Sequence, residues 1–129
     1  MRKQALVDGS VPEKVIQKDI LRWLTDTDIL HWRQNSGTVF AGGRVIKLGE
    51  EGLPDIVCVI PPSGHFLGLE VKSAKGKLRP AQKEFAERIR SIGGSYVVVR
   101  TLEQAMKAVA LCLGEQQCSS RSKDLFTLS

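Results

Sequence analysis

Two acidic side chains and a lysine stand at the ends of two neighbouring apolar segments. Asp55 opens the segment DIVCVI, and Glu70 and Lys72 close the segment HFLGLEVK. If the intervening residues 61–64 form the loop of a β-hairpin, Asp55 lies directly opposite Glu70. The Cβ atoms of such a pair are about 4.5–5.5 Å apart, and like charges placed in this way are destabilising.

A divalent cation between the two carboxylates would offset this repulsion. Side chains repeat every two residues along a strand, so Lys72 shares a face with Glu70, whereas Val71 points into the core. Carboxylate oxygens suit Mg²⁺ or Mn²⁺, and a metal-bound water beside a lysine can hydrolyse a phosphodiester. A one-residue slip in register would instead place the acids on opposite faces. Glu70 and Lys72 would then form an exposed ion pair that stabilises little.

The elements that must position these side chains follow from the apolar periodicity and from the turn residues. In chain order we predict a helix over 12–25, a strand over 29–35, a flexible loop or ragged strand over 37–55, hairpin strands over 55–60 and 65–72, a helix from Pro80 to the Gly93-Gly94 stop, a strand over 95–100 and a helix over 102–113. This order predicts an α/β fold in which helices flank a mixed central β-sheet. We expect a single domain over 12–113, a flexible N-terminus over 1–11 and a polar, disordered tail over 114–129.

Composition limits the function classes. The chain has 129 residues, 42% hydrophobic and 26% charged, and a net charge of +5, which favours a polyanionic partner. It contains no apolar run of about 18 residues, so we expect no membrane span, and we see no secretory signal. Cys58, Cys112 and Cys118 form no CxxC pair. They indicate a reducing, intracellular setting and argue against a cysteine zinc site.

Three segments occur in an order that resembles a known nuclease superfamily. They are Gly52-Leu53-Pro54-Asp55, Glu70-Val71-Lys72 and Arg79-Pro80-Ala81-Gln82, and they resemble the PD-(D/E)xK superfamily. More narrowly they resemble its VRR-NUC (virus-type replication-repair nuclease) branch, which follows a G-x-P-D turn and an E-x-K strand with a basic loop and a helix that begins near Pro-x-Gln. The resemblance implies a restriction-endonuclease-like core with the element order αβββαβ.

The resemblance also implies roles for individual residues. Asp55 and Glu70 would bind the metal, Mg²⁺ or Mn²⁺, and the backbone carbonyl of Val71 would be a further ligand. Lys72 would orient the attacking water or stabilise the charge that develops on the phosphate. Gln82 matches a family position that helps to organise the site.

An acid on the first helix often completes the metal site in this superfamily. Glu13 is the candidate that we favour, because it lies one turn before the apolar stripe of that helix. Asp19 is a second candidate, and Gln17 could add a polar contact.

Basic side chains follow the proposed catalytic strand. We expect Lys75, Lys77 and Arg79, with Lys83 in the next helix, to bind phosphates near the site, although the same residues would also suit a solvated linker. Arg44, in the glycine-rich stretch, is a further candidate for a DNA contact, and a mobile segment without contacts is the alternative.

The leading hypothesis is therefore a metal-dependent DNA endonuclease. Stand-alone domains of this size in the VRR-NUC branch resemble phage or prophage proteins, and the resemblance implies a homodimer that acts on branched DNA such as four-way junctions in the cytoplasm of a bacterial host. The alternatives are a module of the same fold that binds nucleic acid without cutting it, and a small partner-binding domain whose acids form surface ion pairs.

Overall fold

The computed structural model describes residues 11–34, 37–48 and 51–114 of the chain. The N-terminus predicted over 1–11 and the tail predicted over 114–129 lie almost entirely outside the described residues. In chain order the elements are α1 (Glu13–Thr25), β1 (Leu30–Arg33), β2 (Gly37–Ala41), β3 (Arg44–Leu48), β4 (Ile56–Ile60), β5 (His65–Val71), α2 (Pro80–Ser91), β6 (Ser95–Val99) and α3 (102–114).

The central sheet has the spatial order β1-β4-β5-β6. Strand β4 is antiparallel to both β1 and β5, whereas β5 and β6 are parallel and connected through α2. The sheet is therefore mixed, as predicted, and the elements that build it follow the order αβββαβ. The predicted register of the β4–β5 hairpin is confirmed, because Ile60 pairs with His65 and Ile56 pairs with Leu69.

One face of the central sheet is apolar and packs against α1 and α3. Ile20 and Leu24 of α1, Leu67 and Leu69 of β5 and Val109 of α3 are all buried in this core. The α1 residues recur at helical spacing, which directs them to one side of the helix. Each such side chain stabilises the fold by about 1.5–3 kcal/mol through its removal from water.

The opposite face of the sheet carries polar side chains and packs against α2. Glu70 and Tyr96 point to this face, between residues that point into the apolar core, because side chains alternate along a strand. Helix α2 begins at Pro80, which tolerates the first helical position because its missing N–H would have no helical partner there. It ends before Gly93, whose φ of 94° lies in the left-handed region.

The segment between β1 and β4 is more regular than the sequence predicts. We expected a flexible loop or a ragged strand, but β2 and β3 pair antiparallel in a two-stranded sheet of their own. The turn consists of Gly42 and Gly43, with φ values of 56° and 74°. Two consecutive positive φ values are what a tight hairpin turn needs, and glycine adopts them without steric cost.

Among residues 11–34, 37–48 and 51–114, no helix is both long enough and apolar enough to cross a membrane.

Candidate active site

The two acids of the hairpin meet at one end of the central sheet. Asp55 comes immediately before β4, and the register that pairs Ile56 with Leu69 places it opposite Glu70. Its Oδ2 accepts a hydrogen bond of 2.8 Å from the backbone N–H of Val71. Glu70 is only 3% exposed. The structure therefore brings together the carboxylates whose opposition the sequence predicts.

Both carboxyl groups are harder to ionise than usual. Burial raises the pKa of Glu70 to about 7, and the neighbouring charge of Asp55 adds to this effect, which the Lys72 ammonium partly offsets. Burial also raises the pKa of Asp55, and the hydrogen bond from Val71 opposes the rise. These shifts follow from two like charges held close together where water is partly excluded.

Three side chains hold the Glu70 carboxylate in place. Gln82 Nε2 donates a hydrogen bond of 2.9 Å to Oε2, and Lys72 Nζ lies 3.4 Å from the same oxygen. The other oxygen, Oε1, accepts from the Tyr96 hydroxyl at 3.4 Å. The amide of Gln82 is oriented by the backbone N–H of Arg79, which donates to Gln82 Oε1 at 2.8 Å and leaves the amide nitrogen facing Glu70.

The Gly52-Leu53-Pro54-Asp55 turn fits against the sheet and α2 because two glycines leave room for it. Gly52 has φ = 83°, and a Cβ atom there would lie 2.2 Å from the carbonyl oxygen of Ala81. A Cβ atom at Gly68 would lie 2.7 Å from Cγ of Pro54. These close approaches fix the path of the chain into Asp55.

Tyr96 is a site residue that the sequence analysis missed. It is buried on β6, and its hydroxyl donates to the Gly52 carbonyl at 3.2 Å as well as to Glu70. The two acceptors share one hydroxyl proton, so Tyr96 ties the turn before Asp55 to the opposing carboxylate. A buried tyrosine usually has a hydrogen-bond partner, but the sequence does not indicate which one.

The first helix contributes Glu13 to the same end of the sheet. Its Oε2 accepts a hydrogen bond of 3.2 Å from the backbone N–H of Ser73, and its charge raises the pKa of Asp55 further. Gln17, the candidate polar contact, accepts a hydrogen bond of 2.8 Å from Arg33 Nε at the end of β1. Asp19 is half-buried on the same helix.

The basic loop after β5 is exposed but anchored. Lys75, Lys77, Arg79 and Lys83 all have exposed side chains. Arg100, which follows β6, donates through Nη1 to the carbonyl oxygens of two loop residues, Ser73 and Gly76. This guanidinium holds the loop beside the site, and the sequence analysis did not identify it. Arg44 is also exposed, at the turn of the β2–β3 hairpin.

The acidic side chains of the site are of the chemical type that binds divalent cations. Asp55 and Glu70 supply hard carboxylate oxygens, which Mg²⁺ and Mn²⁺ prefer, and Lys72 alone does not neutralise them. Within the described ranges no three His, Cys, Asp or Glu side chains converge as a ready-made metal site. The two acids would therefore need Glu13 to approach, or the Val71 carbonyl or water, as further ligands.

Comparisons with known proteins identify the family to which this chain belongs. The family model described as the VRR-NUC domain matches residues 11–103. A solved structure described as a VRR_NUC domain shares 25% identity with this chain and superposes with a TM-score of 0.55, and the match covers 76% of this chain and 94% of that one. No curated protein matches the chain. Because the family model spans most of the chain and includes the site from Glu13 to Tyr96, this chain belongs to the VRR-NUC domain family, whose domains are of nuclease type.

Proposed function

We propose that this protein is an endonuclease that hydrolyses DNA phosphodiester bonds with the help of Mg²⁺ or Mn²⁺. The observation that carries the proposal is the opposition of Asp55 and Glu70, two carboxylates with raised pKa values beside a single buried lysine. When both groups are ionised, such a pair destabilises the fold unless a cation binds it. A purely structural domain, or one that only binds phosphate, has no need for this arrangement.

The residues of the site have distinct roles in this proposal. Asp55 and Glu70 bind the cation, with the Val71 carbonyl and Glu13 as further candidate ligands. When bound, the cation lowers the pKa of a water molecule and stabilises charge on the phosphate. Lys72, whose Nζ lies 3.4 Å from Glu70 Oε2, would orient the attacking water or stabilise the developing negative charge.

The surrounding residues prepare the site and bring the substrate to it. Gln82 keeps the Glu70 carboxylate in one orientation through its hydrogen bond. Outside this buried cluster, the exposed cations Lys75, Lys77 and Arg79 bind the phosphates that flank the scissile bond. Affinity for DNA should therefore fall steeply as the salt concentration rises.

We further propose that the substrate is branched DNA, such as a four-way junction, and that the active form is a homodimer. Support for both comes from the resemblance to stand-alone, phage-type VRR-NUC domains. A dimer also suits the substrate, because two symmetric sites can cut two strands of a junction with two-fold symmetry.

The test is cleavage of labelled duplex, flap, single-stranded and four-way junction DNA, each with Mg²⁺, Mn²⁺ or a chelator. We expect cleavage in either metal and none in chelator. Asp55→Asn keeps an acceptor for the Val71 N–H and removes the charge, so it should abolish cleavage. Lys72→Ala should slow it by about 10²- to 10³-fold, the usual effect of losing one transition-state contact.

Matched controls separate loss of chemistry from loss of charge. Asp28→Asn removes an exposed acid next to β1 at the opposite end of the central sheet, and Lys107→Ala removes an exposed lysine of α3. Both should cut as the wild type does. Cleavage that persists in chelator, or in both Asp55→Asn and Lys72→Ala, would refute the proposed chemistry. Binding of junctions without cleavage in any metal would instead support the non-catalytic binding module.

A further inference from the structure

The β2–β3 hairpin presents an apolar surface that the described part of the fold leaves exposed. Phe40 is 82% exposed and Val45, its partner across the two strands, is 61% exposed. The hairpin forms a two-stranded sheet separate from the central one. A two-stranded ribbon is only marginally stable alone in water, so this one gains stability when a partner covers its aromatic side chain.

The hairpin is rooted at the candidate active site. Before β2, the backbone N–H of Gln34 donates to the carbonyl oxygen of Asp55 at 2.8 Å. After β3, residues 51–54 lead directly into Asp55. A five-residue strand such as β2 extends for about 14 Å at the rise of a β-strand. Laid along a strand of DNA, a ribbon of this length would span about four nucleotide steps, at about 3.4 Å per step.

The charge of the hairpin favours nucleic acid over a second copy of the chain. Residues 37–48 include Arg44 and Lys47 and no acid, and the Arg44 side chain is exposed directly after the turn. In a symmetric dimer through this surface, each cationic hairpin would face its own copy, and like charges would oppose the contact. DNA would satisfy both properties of the tip, because its phosphates suit the positive charge and its bases suit the exposed aromatic side chain.

We propose that Phe40 stacks on an exposed base face, at a branch point or in a single strand, while Arg44, on the other face of the ribbon beside the turn, binds a phosphate. The hairpin would in this way distinguish branched or single-stranded DNA from continuous duplex. In a continuous duplex both faces of each base are already stacked. A branch point exposes base faces, and aromatic side chains bind these with little dependence on sequence. The inference rests on the proposed function for its choice of DNA as the partner.

The test is binding in chelator, which separates recognition from cleavage. A four-way junction and a continuous duplex of the same composition would each carry 2-aminopurine, at the branch point and at the matching duplex position. Fluorescence anisotropy gives the affinity, and the 2-aminopurine signal reports stacking. Wild type, Phe40→Ala and Phe40→Tyr would be compared with Ile92→Ala, which truncates an equally exposed apolar residue (82%) at the opposite end of the sheet.

We expect Phe40→Ala to bind the junction about tenfold more weakly, which corresponds to about 1.4 kcal/mol, and to lose the change in 2-aminopurine signal at the branch. Duplex affinity should stay the same, Phe40→Tyr should restore junction binding, and Ile92→Ala should resemble the wild type. Thermal unfolding of each variant checks that an exposed substitution leaves the fold intact.

Three results would overturn the inference. The first is equal junction affinity for wild type and Phe40→Ala, and the second is a shift from dimer to monomer in Phe40→Ala by sedimentation, which would assign the hairpin to a second copy. The third is a wild type that binds no DNA, which would remove the proposed function as well. A wild type that cuts junctions while Phe40→Ala binds them equally well would defeat this inference and leave the nuclease proposal intact. If junction binding depends on Phe40 but no cleavage occurs, this inference stands and the nuclease proposal is defeated.

Discussion

Removing the charge of Glu70 should change how the stability of the metal-free protein depends on pH. The carboxyl group is 3% exposed, and its pKa is raised from 4.5 to about 7 by burial and by the neighbouring charge of Asp55. In the unfolded chain neither influence remains. The folded protein therefore binds this proton more tightly than the unfolded chain does.

The direction and size of the effect follow from that difference. A carboxyl group whose pKa is raised by folding contributes stability below its unfolded pKa of 4.5 and loses that contribution as the pH rises through about 7. Each pH unit between the two pKa values corresponds to about 1.36 kcal/mol. The free energy of unfolding of the metal-free wild type should thus fall by roughly 3 kcal/mol between pH 4.5 and pH 8, relative to Glu70→Gln.

Urea denaturation of wild type and Glu70→Gln in chelator, at several pH values from 4.5 to 8, measures this difference. The substitution also disturbs the hydrogen bonds from Gln82 and Tyr96, but that cost is present at every pH, so the pH dependence isolates the charge. A wild type whose stability does not decline relative to Glu70→Gln over this range would refute the account of the acid pair.

The same assay tests the metal without any cleavage. A divalent cation that binds the ionised pair stabilises the folded state by RT ln(1 + [L]/Kd), about 2.7 kcal/mol at a hundredfold excess over Kd. Mg²⁺ or Mn²⁺ should therefore restore wild-type stability at pH 8 and have little effect on Glu70→Gln. Equal stabilisation of both proteins by the cation would place its binding elsewhere.

Two substitutions test the scaffold around the acids. Tyr96→Phe removes the hydroxyl that contacts Glu70 and the turn. It should therefore lower the free energy of unfolding in urea by about 1–3 kcal/mol, through the loss of a buried donor, and it should slow cleavage. Unchanged stability and an unchanged cleavage rate would contradict the positioning role of Tyr96. Gly52→Ala forces both a positive φ and a clash with the Ala81 carbonyl, whereas Gly93→Ala forces a positive φ with no atom within 4 Å. Gly52→Ala should therefore lower the free energy of unfolding by about 1–3 kcal/mol more than Gly93→Ala does. Equal losses of stability in the two variants would show that the approach of Gly52 to the Ala81 carbonyl is not tight.

The sequence was sufficient to predict the opposed acids because their geometry depends on short-range rules. A loop of residues 61–64 sets the register of an antiparallel hairpin, and alternation along a strand sets the face. Asp55 and Glu70 therefore fall opposite each other, with Val71 on the other side, as the structure has them. The helix after the basic loop was also predictable, from Pro80 at its start.

The residues that the sequence did not reveal depend on long-range geometry. Tyr96 meets Glu70 because β6 pairs in parallel with β5, a register that the whole crossover through α2 determines rather than a short turn. Arg100 reaches the loop carbonyls for the same reason. The β2–β3 hairpin was predicted only as a flexible loop or a ragged strand, because five glycines between 37 and 52 suggest irregular backbone. Two of them, Gly42 and Gly43, instead form a regular turn.

The distribution of charge also bears on the choice between cutting and only binding. The cations of the basic loop are exposed, and a surface of this kind attracts phosphates in either case. The carboxylates lie further in, where an anionic substrate increases the repulsion that burial has already made costly. A binding module would be more stable, and would bind DNA more tightly, with neutral residues in place of Asp55 and Glu70. Their presence beside the basic loop fits the proposed nuclease, in which the two acids would hold a cation and the loop would bind phosphates. Neutralising both acids should then strengthen DNA binding in chelator while abolishing cleavage in Mg²⁺.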